Sequence, residues 1–186
     1  MTSIRLPAPR DPVVPGWLLA VLIVIGTEVM FFAALVSGHL VGRASGTAAV
    51  PWQLQLPYGQ TLLNMAALLA SAVTMRHAIQ RVHLPRVSAR WIGVTMGLGA
   101  AFVALQGMEW ARLLHYGLTT HSGLYGAYFY LIVGAHGLHV VAGLLLLAAA
   151  RFGNRREAFA RGTATFWYFV VALWPVLWLI VYPRAA

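Results

Sequence analysis

The chain has 186 residues, of which 60% are hydrophobic and only 9% are charged. A soluble domain carries about 25% charged residues, so this composition excludes an ordinary soluble protein and indicates an integral membrane protein. The net charge of +9 comes from 13 basic residues, all of them arginine, and there is no cysteine. The arginines lie near helix ends and in loops rather than on one folded face, so binding to nucleic acid is not expected.

Five apolar runs are long enough to cross a hydrocarbon core of about 30 Å at about 1.5 Å per residue. A polar N-terminal segment precedes the first run, which is too long for a signal-peptide core and is expected to be a retained helix. A loop containing Gly and Pro, from Gly42 to Pro57, follows that run. We predict an all-α fold with one membrane domain, 1–186, and helices at about 17–41, 60–78, 91–114, 124–150 and 163–182.

The distribution of arginines predicts how the chain crosses the membrane. Ten arginines lie on the side of the N-terminus and three, Arg43, Arg112 and Arg184, lie on the opposite side. Cytoplasmic loops carry the excess of positive charge in membrane proteins. The N-terminus is therefore predicted in the cytoplasm and the C-terminus outside.

The fourth run contains the first candidate for chemistry. The stretch from Gly123 to Gly143 is apolar enough for hydrocarbon, yet it carries His136 and His139 near its middle. Their spacing of i and i+3 places them on one face of a helix. Gly143 continues that stripe and would let a neighbouring helix come close.

Glu28 is the acidic residue of the first run, at a depth similar to that of the histidines. It lies roughly 18 Å from the cytoplasmic helix end, and His139 lies roughly 22 Å from the outer end of an antiparallel helix. An ionisable group at such depth normally has a partner. We hypothesise that Glu28, His136 and His139 share one buried polar pocket. This pocket is either proton-active or metal-binding, or it holds a neutral carboxyl hydrogen-bonded to a histidine or a lipid headgroup.

A second polar group is predicted near the outer ends of the second and third helices. Glu109 and Arg112 are spaced to form an ion pair within one helix, and Gln106 lies one turn earlier on the same face. Asn64 lies at a similar outer depth. Asn64, Gln106, Glu109 and Arg112 are therefore expected to form an outer polar layer.

Neither a metal centre nor a haem is favoured on this chain. A di-iron bundle needs paired Glu-x-x-His motifs, which are absent, and bis-histidine haem needs a second mid-membrane histidine on another helix. A proton-coupled transporter stays open as an alternative, although secondary transporters usually show internal repeats and paired broken helices. We therefore expect no catalytic residue, bound cofactor or metal on the chain itself.

Several motifs occur in the order and at the spacing of one known family. They are Thr-Glu-Val-Met-Phe-Phe (27–32), Leu-Leu-Asn (62–64), Leu-Leu-Ala-Ser (68–71), Leu-Gln-x-x-Glu-Trp (105–110), Tyr-Gly-x-x-Phe (125–129) and Gly-x-His-Gly-Leu-His-Val (134–140). With these motifs the chain resembles subunit III of the haem-copper oxidases, and most of all the five-helix form of cytochrome c oxidase subunit III. One departure lies in the last helix, where Tyr168 and Val171 replace a histidine and an aspartate that are frequent in the family.

The resemblance implies an accessory role in aerobic respiration. Haem and copper would be held by partner subunits I and II, and this chain would support proton uptake and the stability of the catalytic core. It would bind phospholipids in a cleft between helices one and two and helices three to five, with Glu28 at the family's intramembrane glutamate. The implied location is the cytoplasmic (inner) membrane of a bacterium. Homologous subunits of a quinol oxidase or a nitric oxide reductase are the near alternatives.

Overall fold

The computed structural model describes residues 16–47, 58–153 and 157–182, and these fold into five helices. Each helix is long and apolar enough to span a membrane, so the prediction of an all-α bundle with five membrane helices is confirmed. The N-terminal segment, most of the predicted 42–57 loop and the arginines within the remaining gaps lie outside the described residues. The helices are α1 (Gly16–Ala44), α2 (Tyr58–Gln80), α3 (Pro85–His115), α4 (Leu124–Phe152) and α5 (Glu157–Val181).

Two helices, α3 and α5, each begin six residues before the apolar runs that predict them. α3 begins at Pro85. Proline is favourable at this position because its fixed φ suits the first helical turn, where a backbone N–H would have no acceptor within the helix. α5 begins at Glu157, where a negative charge favours the helix dipole, and Glu157 lies 3.7 Å from Arg161 one turn later. These polar first turns lie before the apolar segments, so hydropathy alone does not reveal them.

α5 lies at the centre of the bundle: its backbone is close to α1, α2 and α4, and its side chains also reach α3. Its Trp167 is completely buried. The Trp167 ring packs against Gly99 of α3 and Gly143 of α4, where an added Cβ would come within 2.6 and 2.8 Å of it. The indole Nε1 of Trp167 donates a hydrogen bond to Ser71 Oγ of α2, at 3.1 Å. One indole therefore links four helices. Gly143 admits a close neighbour, as predicted, and this neighbour is the ring of Trp167.

The packing of α1 and α2 differs from the cleft that the family resemblance implies. α1 packs against α5 and α4, whereas α2 packs against α3 and α5. Within the described residues the backbones of α1 and α2 do not approach each other closely. The expectation that helices one and two form a unit across a cleft from helices three to five is wrong for this chain, because α5 separates them.

Candidate functional site

A carboxylate and an imidazole meet between α1 and α4. Glu28 Oε2 lies 2.9 Å from Nε2 of His139, and their side chains are 24% and 16% exposed in the isolated chain. The imidazole lies between two aromatic rings. It is edge-on to Phe32 of α1 and stacked at an inclination of 30° on Phe166 of α5, with centroid distances of 5.3 and 6.5 Å. Three helices therefore fix the orientation of this ring.

The second ring nitrogen of His139 determines where protons can reside in the pair. Nδ1 lies 2.7 Å from the carbonyl oxygen of Ala135, one turn earlier in α4. A carbonyl oxygen only accepts hydrogen bonds, so Nδ1 must carry a hydrogen. Nε2 then either accepts a hydrogen bond from a protonated Glu28 carboxyl, or carries a second proton that it donates to a carboxylate. The two arrangements share the same heavy atoms and differ in the position of one proton.

His136 does not join this pair, although it lies on the adjacent turn of α4. Its side chain is fully buried, and both ring nitrogens lack a hydrogen-bond partner. The ring stacks on Trp174 of α5 at 4.8 Å and meets Phe102 of α3 edge-on at 6.0 Å. The structure thus brings Glu28 and His139 together but places His136 in a separate aromatic environment, unlike the single pocket of the hypothesis.

The predicted outer layer forms a hydrogen-bonded cluster in which three of its four residues take part. Asn64 Nδ2 donates to Gln106 Oε1 at 3.2 Å, which joins α2 to α3. Gln106 Nε2 donates to Glu109 Oε2 at 3.1 Å, within α3. All three side chains are buried. These polar groups therefore bond to one another in the interior instead of facing water, although Asn64 Oδ1 has no hydrogen-bond partner.

Arg112, the fourth residue of the predicted layer, lies outside this cluster. Its Nη1 donates to Gln60 Oε1 of α2 at 2.6 Å on the exposed side of the bundle. The two ion pairs among the described residues join other partners, Glu28 with His139 and Glu157 with Arg161. The expected ion pair between Glu109 and Arg112 is therefore wrong, because Arg112 is exposed whereas Glu109 is buried.

Tyr182 completes the cluster, and sequence reasoning missed it. Its hydroxyl donates to Glu109 Oε1 at 2.9 Å and accepts from Gln106 Nε2 at 3.2 Å. The residue directly follows α5 and is 2% exposed. Burial raises the pKa of the Tyr182 hydroxyl well above its usual value, and the charge of Glu109 raises that pKa further. Tyr182 therefore remains a hydrogen-bond donor at neutral pH.

The two positions that depart from the family pattern lie on α5. Val171 is buried in the core, whereas Tyr168 is half-buried and packs against that core. At position 171 the chain thus has an apolar side chain in an apolar setting. Nothing in the bundle itself requires the aspartate that is frequent there.

The described residues bring together no group of three His, Cys, Asp or Glu side chains that could hold a metal ion. Glu28 with His139 is a two-residue constellation, and Glu109 is surrounded by amide and phenol groups. The chemistry available in the first site is transfer of a proton between a carboxyl and an imidazole.

Comparison with known proteins gives a consistent result. The family model of cytochrome c oxidase subunit III matches residues 10–185. Cytochrome c oxidase subunit 3 of Corynebacterium diphtheriae is 30% identical, over 87% of this chain and 84% of that protein. Probable cytochrome c oxidase subunit 3 of Nocardia farcinica is 32% identical over the same shares. Cytochrome bo(3) ubiquinol oxidase subunit 3 of Pseudomonas aeruginosa is 30% identical, over 86% of this chain and 81% of that protein.

Proposed function

The chain belongs to the cytochrome c oxidase subunit III family, and on this premise we propose that it is an accessory subunit of a respiratory haem-copper oxidase. It is a multi-pass membrane protein of five helices. The match over residues 10–185, nearly the whole chain, is the observation that supports this role most strongly. The chain would belong to a complex that transfers electrons to oxygen, without holding a redox centre itself.

The partners in this proposal are oxidase subunits I and II, which would hold the haem and copper. Cytochrome c is the proposed electron donor, since the relatives in Corynebacterium and Nocardia are named as cytochrome c oxidase subunits. A quinol oxidase is the second candidate, because the Pseudomonas relative is named as a ubiquinol oxidase subunit at similar identity. The two candidates differ in the type of subunit II.

The pair of Glu28 and His139 would serve proton uptake by the complex. Its two proton arrangements interconvert without movement of heavy atoms, and the pair lies in the membrane-spanning part of the chain. An acid and a base in contact can hold a proton and pass it on with little rearrangement. The outer cluster around Glu109 would be structural, since its side chains are buried and Glu109 accepts hydrogen bonds from Gln106 and Tyr182.

The proposed location is the cytoplasmic membrane of a bacterium, with the N-terminus in the cytoplasm. The excess of arginine on the N-terminal side supports this orientation. Phospholipid would cover the apolar outer face of α1, where Ile23, Met30 and Val41 are all more than half exposed. Such a face is favourable in lipid and unfavourable in water.

Purification from native membranes tests this function. The tagged chain is extracted in mild detergent, and the co-purifying subunits and the optical spectrum are recorded. We expect a haem-containing subunit I and a subunit II that carries a copper site if cytochrome c is the donor. A subunit II without copper would favour the quinol oxidase. A stable, colourless preparation without partners, together with substrate-dependent proton flux in liposomes, would favour a transporter instead.

A further inference from the structure

The second carboxyl oxygen of Glu28 has no hydrogen bond within the bundle. Oε2 is the oxygen that contacts Nε2 of His139. Among the described residues no group donates to Oε1, and this atom keeps accessible surface on a side chain that is 24% exposed. Glu28 lies twelve positions after the first residue of α1 and sixteen before its last. The exposed oxygen is therefore near the middle of a membrane-spanning helix.

The protons of the pair determine what Oε1 can bind. Nδ1 of His139 carries a hydrogen toward the carbonyl oxygen of Ala135, so the shared proton lies between Nε2 and Oε2. This proton is either on Nε2, beside a carboxylate, or on Oε2, beside a neutral imidazole. Oε1 carries no hydrogen in either arrangement and is an acceptor in both. The group that faces Oε1 must therefore be a hydrogen-bond donor.

Lipid does not supply such a donor at this depth. Acyl chains have no N–H or O–H group, and a polar atom without a partner is unfavourable in hydrocarbon. Ionisable residues of membrane helices accordingly face protein or a water-filled cavity rather than lipid. The side of α1 and α4 that exposes Oε1 is thus suited to contact with another protein.

The exposed oxygen lies in a groove between α1 and α4. α5 covers one side of the pair with Phe166, and the side away from α5 is open. Val24 and Phe31 lie one turn before and after Glu28 on α1, and they are 45% and 43% exposed. The α4 positions that are more than half exposed repeat every seven residues, at Leu131, Leu138 and Leu145. Apolar side chains at this spacing are typical of a helix that packs against another helix at a small crossing angle.

We propose that the groove between α1 and α4 binds a membrane-spanning helix of another oxidase subunit, which places a hydrogen-bond donor against Oε1 of Glu28. The inference rests on the proposed function and identifies the face by which the chain joins the complex. A hydroxyl or amide side chain fits, since it donates without adding a second buried charge. A second copy of this chain, packed by the same face, would bring two acceptors together instead.

Photocrosslinking in the assembled oxidase tests which molecule covers the groove. Phe31→p-benzoylphenylalanine places the photoreactive group at the groove. Met30→p-benzoylphenylalanine is the matched control, since Met30 is the adjacent residue, is 74% exposed and points to nearly the opposite side of α1 from Glu28. Native membranes are irradiated, the complex is purified, and crosslinked peptides are mapped by mass spectrometry. We expect position 31 to crosslink to a membrane helix of a co-purifying oxidase subunit with a donor side chain at that depth, and position 30 to give no protein crosslink.

A steric substitution tests the same face by association. Val24→Trp places a bulky ring in the groove, whereas Ile23→Trp places it on the adjacent residue, which is 60% exposed and faces away from the groove. Both positions are exposed in the isolated chain, so thermal unfolding of that chain should be the same in the two variants. Val24→Trp should lower the yield of co-purifying oxidase subunits about tenfold or more relative to Ile23→Trp.

Equal yields of oxidase subunits with Val24→Trp and Ile23→Trp would overturn the proposal. Crosslinking of position 31 only to lipid, only to a second copy of this chain, to a helix without a donor, or to nothing would also overturn it. Failure of the proposed function gives a different result, because the wild-type chain would then purify without oxidase subunits.

Discussion

Glu28 of α1 and His139 of α4 are in contact at 2.9 Å, although 111 positions separate them in the chain. Nδ1 of the same imidazole is hydrogen-bonded to the carbonyl oxygen of Ala135, so Nε2 is the nitrogen that faces the carboxyl. The contact therefore joins two membrane helices and defines one exchangeable proton. The structural role and the proton-transfer role can be tested separately. Glu28→Ala removes the hydrogen bond, whereas Glu28→Gln removes the acid and keeps a hydrogen-bond donor.

Glu28→Ala should destabilise the protein, whereas Glu28→Gln should be nearly neutral. Alanine leaves Nε2 of His139 without a partner, which is expected to cost about 1–3 kcal/mol, whereas the glutamine amide can still donate to that nitrogen. Thermal unfolding of the purified protein in lipid nanodiscs measures the difference. Glu157→Gln is the control, since its pair with Arg161 is 55% exposed on both sides and should contribute about 0–1 kcal/mol. Equal losses for Glu28→Ala and Glu157→Gln would contradict a structural role of the contact.

Glu28→Gln should slow proton uptake by the assembled oxidase while haem content and subunit composition stay as in the wild type. Glutamine preserves the hydrogen bond to His139 but has no proton to release, so only the proton-transfer role is removed. The measurement is stopped-flow proton uptake during oxygen reduction, with a pH-sensitive dye. The conservative variant Glu28→Asp restores an acid and should recover part of the rate. Unchanged uptake in Glu28→Gln would assign the pair to stability alone.

Depth along the membrane was predictable from the sequence, whereas rotation of the helices about their axes was not. Each helix must satisfy its own backbone hydrogen bonds in lipid, so apolar length gives both the number of helices and the depth of each residue. Glu28 and His139 could be matched in this way. His136 has nearly the same depth, yet its ring faces Phe102 and Trp174, which depends on packing between α3, α4 and α5.

The central position of α5 and the role of Tyr182 likewise could not be predicted from the sequence. The bundle is organised by the fit of the Trp167 ring against Gly99 and Gly143, and such complementarity depends on all the helices at once. Tyr182 looks like an aromatic residue at a helix end, where such residues commonly mark the membrane interface. Only the position of α5 next to α3 places its hydroxyl on Glu109.

Gly143→Ala should destabilise the bundle by about 1–3 kcal/mol. The added methyl would lie 2.8 Å from the ring of Trp167, which is fully buried and cannot move without disturbing its hydrogen bond to Ser71. Gly137→Ala is the matched control in the same helix. Its methyl meets no atom within 4 Å, and the gain in helix propensity should stabilise by up to about 1 kcal/mol. The unfolding temperature should therefore fall in Gly143→Ala and rise in Gly137→Ala. A shift of both variants in the same direction would contradict this packing.

Tyr182→Phe should destabilise the protein by about 1–3 kcal/mol at neutral pH, because Glu109 and Gln106 each lose a buried partner. The raised pKa of Tyr182 adds a pH dependence. Above pH of about 10 the unfolded chain releases the phenolic proton while the folded protein keeps it, so stability falls as pH rises. Phenylalanine has no such proton, so the difference in stability between the wild type and Tyr182→Phe should become smaller at high pH.

Chemical or thermal unfolding at pH 7 and at high pH measures the effect of Tyr182→Phe. Tyr116→Phe is the control, since Tyr116 is 78% exposed in the turn after α3. It should change stability little at either pH. A gap that widens with pH for Tyr182→Phe would contradict the inferred donor role of the hydroxyl.

The orientation of the chain can be read directly because it contains no native cysteine. His121→Cys places a thiol in the exposed turn between α3 and α4, and His83→Cys places one in the exposed turn between α2 and α3. The excess of arginine on the side of His83 predicts that this turn faces the cytoplasm. In intact spheroplasts a membrane-impermeant maleimide should label His121→Cys within minutes, whereas His83→Cys should react only after the membrane is opened. The reverse pattern would place the N-terminus outside, and Glu28 would then lie nearer the outer surface than the proposed role in proton uptake from the cytoplasm requires.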